Sequence, residues 1–314
     1  MNKCPERLYM YLRLDTFGLK KLIALLNGTV PLTKVSWFND PFDSQLSFDH
    51  TGTQYEQTED IQRSIDRGQI GEERVQSMES RIFEDGFIST RAVFCVTECW
   101  DSCLMWSHYA DSHKGICVEL AYDKDTRLPD GCEFGKVRYS THYPRPVANR
   151  IEDPSEFQTL FLTKSTDWMY EHEWRLIATV DNHLDKTKTF DGLISRSPFT
   201  VARILCGVKC QNSMDVRDLY QGAGLPGSKE ILSDEDCGFV EKLEQRYLDG
   251  DVNGAYTSLL RYLEKFKVDR KKDTLERASA KEEIISTAIL QILNFDGYIV
   301  RLKKSDVRFA ITQL

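Results

Sequence analysis

Short runs of β-branched and aromatic residues recur through the first two thirds of the chain, with helical stretches between them at irregular intervals. Leu8 to Leu14, Val30 to Val35, Ala92 to Thr97, Gly115 to Leu120, Lys136 to Tyr139, Glu173 to Val180 and Val201 to Val208 each read as a strand. Their spacing is too uneven for a regular βαβ series and predicts an α+β fold. Two helices are legible among them. Leu19, Leu22, Ile23 and Leu26 recur at helical spacing behind a cap at Asp15 or Thr16, and Asn27-Gly28 ends that helix. Ser102 to Ala110 is the second, with Trp106, Tyr109 and Ala110 on its core face. Residues 54–83 are polar and helical without an apolar stripe, which predicts a surface excursion.

The character changes near Ser233. Gly238 to Leu248, Val252 to Phe266 and Ala278 to Leu293 are amphipathic, and Asp249-Gly250-Asp251 folds the first two into an antiparallel hairpin. Tyr298 to Leu302 and Val307 to Ile311 suit a terminal β-hairpin. The 314 residues thus divide into a motif-bearing α+β domain, 1–232, and a mainly helical module, 233–314, expected to bind a protein partner.

Charge follows this division. Of 41 basic and 49 acidic residues, 14 and 15 lie beyond residue 232, so 27 face 34 in the first domain. A net charge of −8 disfavours generic nucleic-acid binding, which needs a basic surface. Lys265, Lys267, Arg270, Lys271 and Lys272 read as a solvated helix end. No run approaches the ~20 apolar residues of a membrane span, and the first residues lack the apolar core of a signal peptide. Nine cysteines include no Cys-x-x-Cys pair. A cytoplasmic protein with reduced thiols, no membrane contact and no metal site is expected.

Three aromatic-rich segments carry the candidate chemistry. In Phe38-Asn39-Asp40-Pro41-Phe42-Asp43, Asn and Asp suit a rigid turn anchored by two rings. The functional alternative has Asp40 or Asp43 positioning a ribose or a metal ion, with Asn39 beside them. In Met105-Trp106-Ser107-His108-Tyr109-Ala110, His108 lies off the apolar face, where an imidazole can serve as a hydrogen-bonding or acid/base group. In Trp168-Met169-Tyr170-Glu171-His172-Glu173-Trp174-Arg175-Leu176, strand geometry would put Glu171, Glu173 and Arg175 on one face. The bland account is a Glu173–Arg175 ion pair without chemistry. Gly222, Gly224 and Gly227 match a dinucleotide fingerprint by letter only, since Pro226 intervenes and no helix opens there.

These segments, with Leu8-Tyr9-Met10-Tyr11 and Phe94-Cys95-Val96-Thr97-Glu98, resemble in order those of an uncharacterised bacterial domain-of-unknown-function family, over roughly residues 8–210. Thr97 stands where that pattern has serine, and Leu12 where it has a basic residue. The resemblance implies a component of a bacterial stress or phage-defence locus.

The Glu171-x-Glu173 pair is also similar to that of arginine-modifying ADP-ribosyltransferases. That similarity implies a split β-sheet core with inserted helices and NAD as substrate. Glu173 would hold the nicotinamide-ribose 2′-hydroxyl and stabilise the oxocarbenium ion, while Glu171 would take a proton from the acceptor. Arg13 or Tyr11 would be the first-strand residue and Thr97 the hydroxyl residue of the next motif strand. Tyr109, Trp106 or Tyr170 would stack on nicotinamide, with Tyr9, Tyr11, Asn39, Asp40 and Asp43 lining the nucleotide site. An NAD-consuming effector of a defence or toxin system is the leading expectation. Two alternatives stay open: a metal-dependent phosphodiesterase or nuclease built on Asp40, Asp43, Glu98, Glu171 and Glu173, and a non-catalytic sensor or assembly subunit.

Overall fold

The computed structural model describes residues 4–44, 88–144, 159–179, 192–195 and 197–210, with parts of 238–262, 299–304 and 311–313. The protein is mixed α/β, mostly sheet with few helices. Its contacts form two units, one comprising Met1–Val30, Thr97–Thr126 and Ser195–Leu314, the other Pro31–Val96 and Arg127–Ile194.

In the first unit, β1 (Arg7–Leu12) pairs antiparallel with β4 (Ile116–Tyr122), placing Leu8 opposite Leu120 and Met10 opposite Val118. Every residue from Leu8 to Leu12 is buried, so both faces of β1 are covered, which explains a near-continuous apolar run without clean alternation. β10 (Phe199–Cys206) lies antiparallel on the other side of β4, with a bulge between Val201 and Arg203. The Cys117 and Cys206 thiols are buried here as small hydrophobes. Helix α1 (Thr16–Leu26) is capped by Asp15, whose Oδ1 accepts from the Gly18 N–H at 2.9 Å. It buries Leu19, Leu22, Ile23 and Leu25; the apolar stripe thus ends on Leu25 where the sequence pattern pointed to Leu26. Helix α2 (Cys103–Tyr109) is capped by Ser102 and buries Met105 and Trp106.

Further along the same unit, helical residues within 238–246 and 254–262 flank a turn at Asp249–Asp251. Gly250 there has φ +80°, and Asp251 accepts from the Gly254 N–H at 3.0 Å, so one residue stops a helical turn and the next caps another. Phe239 and Tyr262 stack at 4.0 Å between centroids. β11 (Ile299–Lys304) joins β10 in parallel, and β12 (Ile311–Gln313) pairs antiparallel with β11. The last segment of the chain therefore contributes strands as well as helical turns. The surface excursion at 54–83, the third amphipathic stretch at 278–293, the glycines of 222–227 and the basic cluster at 265–272 lie outside the described residues.

The second unit holds most of β2 (Thr29–Lys34) paired antiparallel with β3 (Arg91–Thr97), Thr33 facing Val93. The strand expected around Lys136–Tyr139 is two strands, β5 (Cys132–Lys136) and β6 (Arg138–Ser140), on either side of the buried Val137. β6 runs parallel to β7 (Thr163–Ser165), with Tyr139 opposite Lys164. β8 (Glu173–Thr179) pairs antiparallel with β5 and also borders β3. β9 (Gly192–Ser195) borders β2. Val35, Val93, Val137, Leu160, Phe161, Leu162 and Ile177 make the apolar core of this unit. Trp174 and Leu176 are buried on one face of β8, and Glu173 and Arg175 are buried on the other. A strand with charges inside on one face demands a partner for each of them.

Candidate functional site

The partners are found within the second unit. Arg175, 0 % exposed, forks onto Asp43 through two parallel bonds, Nη1 to Oδ1 at 2.8 Å and Nη2 to Oδ2 at 2.6 Å. The same guanidinium grips Glu173 with Nε to Oε1 and Nη2 to Oε2, both 3.0 Å, and gives Nη1 to the Phe161 carbonyl at 2.9 Å. Its remaining face lies 5.4 Å from the Phe38 ring centroid. Lys164 Nζ donates to Glu171 Oε2 at 2.6 Å and to Glu173 Oε2 at 3.4 Å, and stands 3.5 Å from Asp43 Oδ2. Asp43, Lys164, Glu171, Glu173 and Arg175 are all buried. Among the described residues, three carboxylates surround these two cations.

Local chemistry explains how the chain delivers these groups. In the 38–43 loop, Asp40 Oδ1 accepts from the Phe42 N–H at 2.9 Å and the Asp40 carbonyl accepts from the Asp43 N–H at 3.2 Å. This is the rigid turn that Asp and Pro favour, and it aims Asp43 inward. Ser44 Oγ adds a bond to Asp43 Oδ1 at 3.0 Å. Strand geometry begins at Glu173, not at Glu171. Residues Thr166–Glu171 form a 3-10 turn, and His172 takes a left-handed conformation, φ 45° and ψ 49°, before β8 starts. The two glutamates therefore meet over Lys164 through a turn and not through strand alternation.

The electrostatics are strong. Burial would raise the Glu173 carboxyl, but Arg175 and then Lys164 outweigh it and bring it down to about 2. The Cys95 thiol also donates to Glu173 and is itself pushed up by burial and by that carboxylate. Burial alone would favour neutral Lys164; Glu173 and Glu171 reverse this and hold it protonated. The Glu173 N–H donates to Tyr139 Oη at 2.9 Å.

Of the residues singled out from sequence, Asp43, Glu171 and Glu173 are brought together. Asp40 is buried and serves its own loop, while Asn39 is exposed. Tyr170 is half-buried on the 3-10 turn, its ring 6.0 Å from that of Trp168, which in turn lies 4.9 Å from Lys164 Nζ.

The other singled-out residues belong to the first unit. Arg13 is exposed and pairs with Asp15 at 3.3 Å. Thr97 is buried opposite Tyr9, and its Oγ1 accepts from the Cys99 N–H at 3.0 Å. Tyr11 is buried, donates to the Cys99 carbonyl at 3.0 Å and meets Trp106 edge-on at 5.1 Å. Trp106 is fully buried, its Nε1 bonded to the Trp100 carbonyl at 2.7 Å. Tyr109 is half-buried and His108 exposed.

Lys164, Tyr139 and Cys95 escaped sequence reasoning. Lys164 has one signal, a lysine one residue beyond the apolar run Leu160-Phe161-Leu162, after Thr163. A cation there either leaves the core or finds carboxylates.

Residues 105–176 match the model of a family described as a protein of unknown function, DUF2971. The match takes in Met105–Ala110, Lys164, Glu171, Glu173 and Arg175, and stops short of Asp43 and of Leu8–Tyr11. No curated protein and no solved structure matches the chain.

Proposed function

We propose that the protein cleaves the nicotinamide–ribose bond of NAD as an ADP-ribosyltransferase-like enzyme, with Glu171 as the carboxylate nearest the reacting ribose. The observation that carries this reading is the buried Glu171 carboxylate, held by Lys164 on the same 3-10 turn that carries Trp168 and Tyr170. Nicotinamide in NAD is an aromatic cation, and positive charge develops on the ribose as it leaves. A fixed carboxylate with aromatic neighbours stabilises both. Glu173 commits both oxygens to Arg175 and Lys164, so its part in this reading is to anchor the array. The biological setting that follows is an NAD-consuming effector of a defence or toxin system.

The metal-dependent alternative fits these residues less well. Asp43, Glu171 and Glu173 already hold Arg175 and Lys164 where a divalent cation would need them, and Asp40 is occupied within its turn. One observation favours the non-catalytic alternative: Trp37, Phe42 and Met169 are 50 %, 65 % and 56 % exposed in this unit. Large exposed apolar side chains mark contact surfaces.

The test is release of labelled nicotinamide from NAD by the full chain and by Glu171→Gln. Release by the wild type that falls in the variant supports the reading. No release with protein, nucleic-acid or small-molecule acceptors overturns it.

A further inference from the structure

We propose that the outer face of the 37–42 loop and the 166–171 turn is a docking surface for a partner protein. The segment it takes carries arginine or lysine set among apolar residues. This surface stands apart from the NAD reading, because binding there needs neither NAD nor turnover.

Two turns of the second unit are pinned from inside to one point. Asp43 Oδ2 and Glu171 Oε2 lie 3.5 and 2.6 Å from the same Lys164 Nζ. Phe42 directly precedes Asp43, and Met169 stands two residues before Glu171. In each turn the carboxylate is buried and the apolar neighbour is exposed. Phe42 and Met169 thus mark the outer sides of two turns whose inner sides share an ammonium. Trp37 is exposed at the other end of the first loop, next to Phe38, whose ring lies 5.4 Å from the Arg175 guanidinium. Three large apolar side chains brought to water by one braced array form a contact surface. The bracing favours affinity, because a preorganised surface loses little freedom on binding. Met169 adds an unbranched, polarizable chain that adapts to the shape of its partner.

Charge decides which partner fits. Residues 35–44 and 165–172 hold four acidic side chains, Asp40, Asp43, Asp167 and Glu171, and no lysine or arginine. Lys164 and Arg175 meet Asp43 from within, and Lys164 meets Glu171. Asp40 and Asp167 make no ion pair among the described residues; Asp40 accepts from the Phe42 N–H and Asp167 from the Ser165 hydroxyl. Asp167 is exposed on the turn that carries Met169. The sequence of the whole unit extends the pattern. It carries 23 acidic and 15 basic residues against 26 of each in the first unit, so the net charge of −8 belongs to it entirely. A field of that sign draws cations and repels an acidic or nucleic-acid partner. Exposed indole and phenyl faces accept a guanidinium or ammonium within about 6 Å of the ring centre. A second copy of this chain fits less well, since it would bring the same negative unit to the face.

The experiment is fluorescence anisotropy of a labelled synthetic peptide of alternating leucine and arginine, titrated with the full chain without NAD. The same peptide with serine or with glutamate in place of arginine gives the comparison. The expected result is binding of the arginine peptide that weakens as salt rises, weaker binding of the serine peptide and none of the glutamate peptide. Trp37→Ser and Phe42→Ser should each weaken the arginine peptide about 10-fold, as loss of an aromatic anchor does. Asp167→Asn should weaken it about 2- to 5-fold and leave the serine peptide unchanged. Leu104→Ser, exposed on α2 of the first unit, is the control and should change nothing. No binding of the arginine peptide, equal binding of the glutamate peptide, or full affinity in folded Trp37→Ser and Phe42→Ser overturns the proposal.

If the variants do not fold, NMR of the wild type decides. The Trp37 indole N–H and the Met169 methyl signals should shift as the arginine peptide is added, and signals that stay in place while it binds overturn the surface. Sedimentation of the chain alone tests the other occupant. Self-association that is lost in Trp37→Ser would put a second copy on this face and overturn the assignment to a basic partner.

Discussion

Arg175 and Asp43 are 132 residues apart in sequence and share two parallel hydrogen bonds of 2.8 and 2.6 Å in the interior of their unit. The pair ties the 38–43 turn to β8, and Glu173 ties the same guanidinium to the start of that strand.

Removing one side of the pair strands the other as a buried, uncompensated charge. Arg175→Met is expected to cost about 3–5 kcal/mol, and Asp43→Asn a comparable amount. The double variant should cost less than the sum. Urea unfolding of the four proteins in a double-mutant cycle measures this; additive losses would show that the pair contributes no coupling.

The acid side of the stability profile should carry the signature of Glu173. Its carboxyl is brought to about 2 from the 4.5 of an unpaired glutamate, so the folded chain holds a proton there less readily than the unfolded one. The stability it contributes is complete above about pH 5 and is lost as pH falls toward 2. Unfolding free energy measured from pH 6 to pH 2 should fall less steeply in Glu173→Gln. Equal slopes would remove Glu173 as the source.

These charges show where sequence reading succeeds and where it stops. The sequence places Glu173 and Arg175 on one face of a strand, because alternation is local, and the two do touch. Asp43 is reachable as a candidate from its turn chemistry, but nothing local says that it faces Arg175. The carboxylate partners of Lys164 are hidden for the same reason, since its contacts depend on how a 3-10 turn and a left-handed residue return the chain. Alternation also misplaces Glu171, which precedes the strand. Trp106 and Ala110, predicted on a core face from helical spacing, are buried, whereas Lys136–Tyr139 hides a break at Val137 that periodicity does not mark.

His172 provides a test of that returning turn. At φ 45° a non-glycine residue bears about 1–2 kcal/mol of strain. His172→Gly is expected to keep the wild-type Tm or exceed it, while His172→Val should lower it. A valine variant as stable as the glycine variant would contradict the left-handed turn.

In the first unit, a Cβ at Gly207 would collide with the His113 carbonyl oxygen and stand 3.0 Å from that of Gly115. Backbone has no room to yield there, because the Gly207 N–H already bonds the Gly115 carbonyl at 3.0 Å. Gly207→Ala should destabilise the protein by about 1–3 kcal/mol. Thermal unfolding checks it, with an unchanged Tm as the contrary result.

The most direct measurement of the central claim is the initial rate of nicotinamide release from NAD by purified full chain, compared with folded Glu171→Gln. Loss of a charge-stabilising group at a developing cation is worth about 100- to 1,000-fold in rate. Release by the wild type and a drop of that order in Glu171→Gln are the expected result. Release at the same rate from both proteins, or none from the wild type with any acceptor, would contradict it.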